Sequence, residues 1–215
     1  MDKKIDIRQL NLEELTSKLT DLGEKPFRAK QIHEWLWKKR ATSFDQMTNL
    51  SFSLRKTISD YFVINPIQLS ESQKSNDRTI KNAFLLHDNS VVEGVLIPTK
   101  KRMTACVSVQ VGCSLNCGFC ATGKLKRVRN LNPDEIYDQV VMISQQSKNE
   151  YNVPLSNIVF MGMGEPLLNY KNVISAIEKI TSVDGLGMSA KRITLSTAGI
   201  ANRIIRLADD NVKFN

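Results

Sequence analysis

The sequence predicts an α/β protein in three parts. A small helical domain covers residues 1–64, a linker and β-hairpin cover 65–98, and the first part of an α/β barrel covers 99–215. Three observations predict it. Apolar residues recur at helical spacing as far as Phe62, and two apolar runs flank His87-Asp88-Asn89-Ser90. From Thr104 onward, strand-like and helix-like segments alternate, the pattern of βα units around a parallel sheet.

In the helical part, Leu12, Leu15, Leu19 and Leu22 form one stripe, opened by an Asn11/Glu14 capping box and stopped at Gly23. A second helix starts at Pro26 and runs to Lys38-Lys39-Arg40, with Phe27, Ile32, Trp35 and Leu36 inward. A third spans about Ser51 to Phe62, with Phe52, Leu54, Ile58 and Phe62 inward. His33 has no partner motif and reads as a surface or core-satisfied residue. The polar, breaker-rich stretch 65–78 reads as a boundary. Ile80–Leu86 and Val91–Ile97 make the hairpin, with His87 a turn residue. Strands follow at Thr104–Val111, Asn157–Met161 and Arg192–Ser196, with helices at about Pro133–Ser147, Tyr170–Thr181 and Ala198–Asp209. A fourth strand begins at Val212-Lys213-Phe214-Asn215, so the chain reads as cut within the barrel.

Composition narrows the function classes. At 215 residues, 41% hydrophobic and 24% charged, the chain is neither disordered nor collagen-like. No apolar run approaches twenty residues, and the N-terminus lacks a signal-peptide stretch, so a cytoplasmic protein away from membranes is expected. The net charge is +8, and it is concentrated: residues 94–133 contain no acid but seven bases, Lys100, Lys101, Arg102, Lys124, Lys126, Arg127 and Arg129. Such a field suits nucleic acid; a solvated basic face is the alternative. All four cysteines, Cys106, Cys113, Cys117 and Cys120, fall within the same segment. In a cytosolic chain this clustering means metal or redox chemistry, not a disulfide framework.

Cys113-x-x-x-Cys117-x-x-Cys120 follows directly on a barrel strand, where α/β barrels place their chemistry. Three thiolates suit an iron–sulfur cluster and leave one iron open to a small molecule. Zinc with Cys106 as a fourth ligand is the alternative, although no second Cys/His pair exists. The spacing, with Phe119 before the last cysteine, resembles the radical S-adenosylmethionine (SAM) superfamily. Residues 103–131 more narrowly resemble the bacterial RNA adenine C2-methyltransferases of 23S rRNA and tRNA. So do Phe27–Ile32, Met47–Leu50, Phe160–Leu167 and Thr194–Gly199.

The resemblance implies a partial radical SAM barrel, a [4Fe–4S] cluster on Cys113, Cys117 and Cys120, and SAM as cosubstrate. It implies 23S rRNA and tRNA as substrates, an RNA-binding role for the helical domain 1–64, a flavodoxin or ferredoxin as electron donor, and a monomer. Gly164 and Glu165 match the residues that hold the SAM amino group; a plain strand-ending turn is the other reading of Gly162-Met163-Gly164-Glu165. Ser196 matches a SAM contact, or caps the next helix. Glu93 shares a strand face with Val91 and Val95. The resemblance makes it the proton acceptor, its basicity raised by partial burial; an edge-strand charge is the alternative. Cys106 matches a cysteine that forms a transient disulfide with a methyl-carrying cysteine, and no cysteine follows Cys120 to play the carrier. Unpartnered, Cys106 is a small hydrophobe. The expected reaction of the full-length family is methyl transfer to adenine C2 through methyl-cysteine; the 215-residue chain, lacking the carrier cysteine, is expected not to methylate. The rival readings are methylation at adenine C8 and an RNA-binding module with structural zinc.

Overall fold

The computed structural model describes residues 4–215. They form two compact units. One holds the chain up to Pro66 together with Lys179–Gly187, and the other holds Ile67–Glu178 with Met188–Asn215.

In the first unit, strand β1 (Ile5–Asp6) pairs in parallel with β2 (Phe62–Val63), and between them come α1 (Leu12–Asp21), α2 (Phe27–Trp37) and α3 (Phe52–Tyr61). The capping box of α1 is formed: Glu14 N donates to Asn11 Oδ1 at 2.9 Å, and Asn11 N donates to Glu14 Oε2 at 2.8 Å. Leu15, Leu19, Ala29, Ile32, Leu36, Trp37, Leu54 and Ile58 make the core, each burial worth about 1.5–3 kcal/mol for the larger side chains. Three expected inward residues are not in it. Phe27 and Phe52 are exposed, and Trp35 is half-buried, its indole N–H donating to Asn49 Oδ1. Phase is the reason: Leu54 and Ile58 set the buried face of α3, and Phe52 lies roughly 200° around the helix from Leu54. Phe62 is buried, but as a strand residue of β2 rather than the end of α3.

The second unit is built on one six-stranded sheet. Its strands in chain order are β3 (Gln68–Lys74), β4 (Ile80–Leu85), β5 (Val91–Pro98), β6 (Met103–Cys106), β9 (Asn157–Phe160) and β10 (Ile193–Leu195). In space the order is β10-β9-β6-β5-β4-β3, parallel from β10 to β6 and antiparallel from β6 to β3. A two-stranded ribbon, β7 (Gln110–Val111) against β8 (Arg129–Asn130), follows β6. Helices α4 (Pro133–Tyr151), α5 (Tyr170–Thr181, as far as Glu178) and α6 (Ala201–Asp209) complete the unit.

Several expectations need correction. The polar stretch 65–78 holds the division between the two units, at Pro66 and Ile67, but it is no loose linker: from Gln68 to Lys74 it forms β3, an edge strand with every residue exposed and a bulge between Leu69 and Glu71. A polar edge resists pairing with other chains, so its composition mimics a linker. The hairpin is not a separate segment either, because β5 pairs with β6 and extends the barrel sheet. Alternation explains this: Val92, Gly94 and Leu96 face the helix layer, and a Cβ on Gly94 would stand 3.2 Å from Ile143 of α4. The single strand expected at Thr104–Val111 breaks after Cys106 into β6 and β7. Helix α4 runs on to Tyr151, and α6 starts at Ala201. The strand expected at 212–215 is not formed, although Asn215 N donates to Ile193 O and Leu195 N to Asn215 O, at 3.0 and 2.7 Å. No helix among the described residues is long and apolar enough to cross a membrane.

Candidate active site

Strands β6, β9 and β10 are parallel, so their C-terminal ends open on one rim. Three segments leave that rim. Val107–Val111 leads into the cysteine loop, Met161–Glu165 follows β9, and Ser196–Gly199 follows β10.

Buried polar side chains lock these segments together. Ser108 donates through Oγ to Glu93 O at 2.6 Å and accepts from Met163 N at 2.8 Å, continuing the sheet where β6 has ended. Gln139 of α4 holds the Ser108 backbone from the other side, at 2.9 and 3.1 Å. The fully buried Gln110 accepts from Glu165 N at 2.9 Å and donates to Asn130 Oδ1 at 2.7 Å. One amide side chain thus ties the Gly-Glu turn to the ribbon at the base of the cysteine loop. Gly164 makes the approach possible: its φ is +94°, and an added Cβ would lie 2.4 Å from Gln110 Cβ.

The cysteine loop runs from β7 to β8 and is pinned at its base by Val128 N to Val111 O and Leu131 N to Val109 O, at 2.8 and 3.0 Å. Within it, Cys120 N donates to Cys117 O and Cys113 N to Leu125 O, at 3.0 and 3.3 Å. Asn116 takes φ +45° between the first two cysteines, a conformation asparagine tolerates. Cys113, Cys117 and Cys120 are half-buried free thiols. Their side chains are not gathered into a ready metal-binding group, nor does Cys106 join them, among the described residues. The donor chemistry nevertheless fits an iron–sulfur cluster: three free, soft thiols on one short loop whose two ends are fixed.

Glu165 is only 4% exposed. Its carboxylate accepts from Leu167 N at 2.9 Å, Thr197 Oγ1 at 2.7 Å and Ala198 N at 2.8 Å. It therefore joins the ends of β9 and β10, with no lysine or arginine within ion-pair distance among the described residues. A buried carboxylate of this kind is a ready partner for an ammonium group. Ser196 is exposed at the end of β10.

Glu93 and Cys106 share the sheet face opposite α4. Val95 pairs with Cys106, Cys106 with Val159, and Val159 with Thr194, so these residues and Glu93 point the same way. The burial expected for Glu93 is not found: its side chain is 48% exposed and pairs with Lys81 at 2.6 Å. The neighbouring strand supplies a cation, which meets the requirement that a charge on an apolar row be paired. Burial pushes the Cys106 thiol above its ordinary value, opposed by a hydrogen bond from the Met161 backbone. No disulfide exists, since all four cysteines are free.

The basic residues separate into two kinds. Lys100, Lys101 and Arg102 in the β5–β6 turn, and Lys124, Lys126 and Arg127 in the cysteine loop, are exposed. Arg129 is engaged in structure: it binds Glu135 through two N–H groups at 2.8 Å each and Asp88 at 2.6 Å. Glu135 is buried, also caps α4 through Asn132 N, and lies 3.5 Å from His87. These pairs raise the Arg129 pKa and hold Asp88 well below the usual carboxylate range. His87, read as a mere turn residue, is thus part of a cluster joining the hairpin turn, β8 and α4.

Sequence reasoning missed Ser108, Gln110, Gln139 and Thr197. A signal existed for Thr197, the second of two hydroxyl residues at a strand end, but nothing local marked the others.

Comparison with known proteins agrees with this layout. Residues 5–64 match the ribosomal RNA large subunit methyltransferase N-terminal domain, and residues 107–214 match the radical SAM superfamily. A protein of Christiangramia forsetii described as a probable dual-specificity RNA methyltransferase RlmN is 61% identical over 99% of this chain and 60% of its own length. The dual-specificity RNA methyltransferase RlmN of Syntrophus aciditrophicus is 44% identical over 96% of this chain and 59% of its own. The crystal structure of a radical SAM methyltransferase from Sphaerobacter thermophilus superposes with a TM-score of 0.86 at 35% identity, covering 98% of this chain and 62% of that one. The chain thus spans about 60% of the length of the curated relatives it matches.

Proposed function

The chain belongs to the radical SAM superfamily, and from that premise we propose that it acts in methylation of adenine C2 in 23S rRNA and tRNA. The observation that carries the proposal is the Gln110 bridge, which joins the base of the three-cysteine loop to the Gly164-Glu165 turn on one rim. Cys113, Cys117 and Cys120 would hold a [4Fe–4S] cluster, which when bound supplies the electron for reductive cleavage of SAM. Glu165 accepts the SAM ammonium group, and Gly164 lets the backbone lie close to it. Ser196, at the neighbouring strand end, offers a hydroxyl to the cosubstrate.

On the shared sheet face, Glu93 receives the adenine C2 proton. Its position two residues along β5 from the partner of Cys106 puts base and thiol on the same surface. Lys81 holds the Glu93 carboxylate in place through its pair at 2.6 Å. Cys106 resolves the covalent adduct: its thiolate attacks the sulfur of a methyl-carrying cysteine, a disulfide forms as that sulfur's bond to the transferred carbon breaks, and the electron pair stays on the carbon, which takes a proton to become the methyl group. The exposed Lys100–Arg102 and Lys124–Arg127 supply phosphate contacts, and a flavodoxin or ferredoxin delivers electrons.

Anaerobic reconstitution with iron and sulfide tests the cluster. About four irons per chain are expected, with 5′-deoxyadenosine formed from SAM under a strong reductant, and alanine at any of the three cysteines should abolish both. A colourless zinc protein would instead support a structural site. The methylated position is read by mass spectrometry in RNA from cells carrying or lacking the gene. Loss of 8-methyladenosine rather than 2-methyladenosine would overturn the C2 assignment.

A further inference from the structure

The first unit contains a cleft of about 440 Å³ remote in sequence from every residue assigned so far. Its lining includes the apolar Phe62, Val63 and Ile64 and the aromatic Phe44 and Phe52. Three cations line it, Lys4, Arg55 and Lys56, against one acid, Asp45. The volume lies within the roughly 300–1,000 Å³ of small-molecule sites.

Two details point to a ligand. Phe52, at the start of α3, is 73% exposed although its neighbours Leu54 and Ile58 are fully buried. An aromatic ring left in water beside cations has the makings of a stacking platform. Arg55 donates through Nη1 to Asp45 O at 2.8 Å, yet its Nε is buried with no hydrogen-bond partner. Arg55 also lines the cleft with its guanidinium 6.0 Å over the Phe52 ring, so a cation and an aromatic face stand together as a nucleotide would need. Lys4 is partly engaged, donating to Ser59 O at 2.5 Å.

We propose that this cleft is a nucleotide subsite for single-stranded RNA, stacking one base on Phe52 and placing its phosphate at Arg55 and Lys56. It rests on the reading of the substrate as RNA and of the helical domain 1–64 as RNA-binding, and deepens it by assigning one nucleotide to this cleft. An apolar and aromatic lining and a three-to-one excess of cations match a base joined to a phosphate.

The test is fluorescence anisotropy of the full chain with labelled single-stranded oligoadenylate, at several salt concentrations. Phe52→Ala should weaken binding about tenfold, from loss of one stacked base, and Phe52→Tyr should restore it. Arg55→Gln with Lys56→Gln should lower the log–log salt slope by roughly one, since each lost phosphate contact on a single strand accounts for about 0.7. Photocross-linking with 4-thiouridine RNA should label the peptide containing Phe52. Because Phe52 is exposed, its alanine variant keeps the circular dichroism spectrum of the parent. Parental affinity in both the Phe52→Ala and Arg55→Gln/Lys56→Gln proteins would overturn the cleft. If Lys124→Gln/Lys126→Gln/Arg127→Gln then still weakens binding, RNA binding stands without the cleft; if that protein also binds as the parent does, the RNA reading falls too.

Discussion

Replacing Gly164 with alanine should uncouple the cysteine loop from the Gly-Glu turn. Residue 164 sits at φ +94°, beyond the usual left-handed region, which costs a non-glycine residue about 1–3 kcal/mol. The added methyl would also stand 2.4 Å from Gln110 Cβ and 2.9 Å from Gln110 N. Gln110 is fully buried and hydrogen-bonded at both ends of its amide, so it cannot swing aside. Overpacking of this kind costs about 1–3 kcal/mol more. The sum, about 2–6 kcal/mol, is a large part of a typical stability of about 5–15 kcal/mol. Gly187 provides the control: its φ is +64°, and nothing lies within 4 Å of a Cβ built there. Gly187→Ala pays the conformational cost alone. Urea denaturation followed by circular dichroism should rank Gly164→Ala at least 1 kcal/mol below Gly187→Ala, about the low end of the overpacking cost. Hydrogen exchange should show faster exchange at the Val109 and Gln110 amides, which both donate to Met163 O. Equal stability of the two variants would refute the claim that Gly164 is needed for close packing against Gln110.

Three further outcomes are expected. Arg129→Met should destabilise the second unit by somewhat less than the ~3–5 kcal/mol of a fully buried pair, because the Arg129 side chain is 25% exposed while Glu135 is 1% exposed; thermal unfolding reads this, and an unchanged midpoint would count against the cluster. Neutralising Lys124, Lys126 and Arg127 by glutamine should flatten the salt dependence of RNA binding by roughly two units, with no loss of stability; an unchanged slope would make the segment a solvated face. His33 is lowered to about 4 by burial first and the nearby Lys179 ammonium second, with Asp184 opposing, and its Nε2 lies 3.0 Å from Lys179 Nζ. The unfolded chain therefore takes up the proton first, so stability present above pH 6.5 is lost as pH falls toward about 4. His33→Gln should remove that part of the pH dependence in melting temperatures between pH 7 and pH 4, and an undiminished slope would exclude His33.

The sequence by itself determined the parts that local chemistry dictates. The α1 capping box and the hairpin turn with Asn89 at φ +64° each follow from residues within a few positions of one another, and the alternation of strand-like with helix-like segments implied that β6, β9 and β10 run parallel. The three-cysteine spacing is likewise a local signal, and so is the Gly-Glu pair. Tertiary structure alone decided what those residues touch. Phe52 was read as core because it is apolar, yet the phase of α3 turns it outward. The polarity of stretch 65–78 marks the division at Pro66 and Ile67 but hides β3, because an edge strand needs no apolar face. Arg129 was grouped with the free cations because charge counting is blind to partners 6 and 41 residues away. Gln110 was invisible because an uncharged amide acquires its role only when buried between two segments that meet in the fold, one of them 55 residues away. Spacing along a chain encodes local hydrogen bonds and ligand sets, while burial and partners depend on which distant segments the packed sheet brings together.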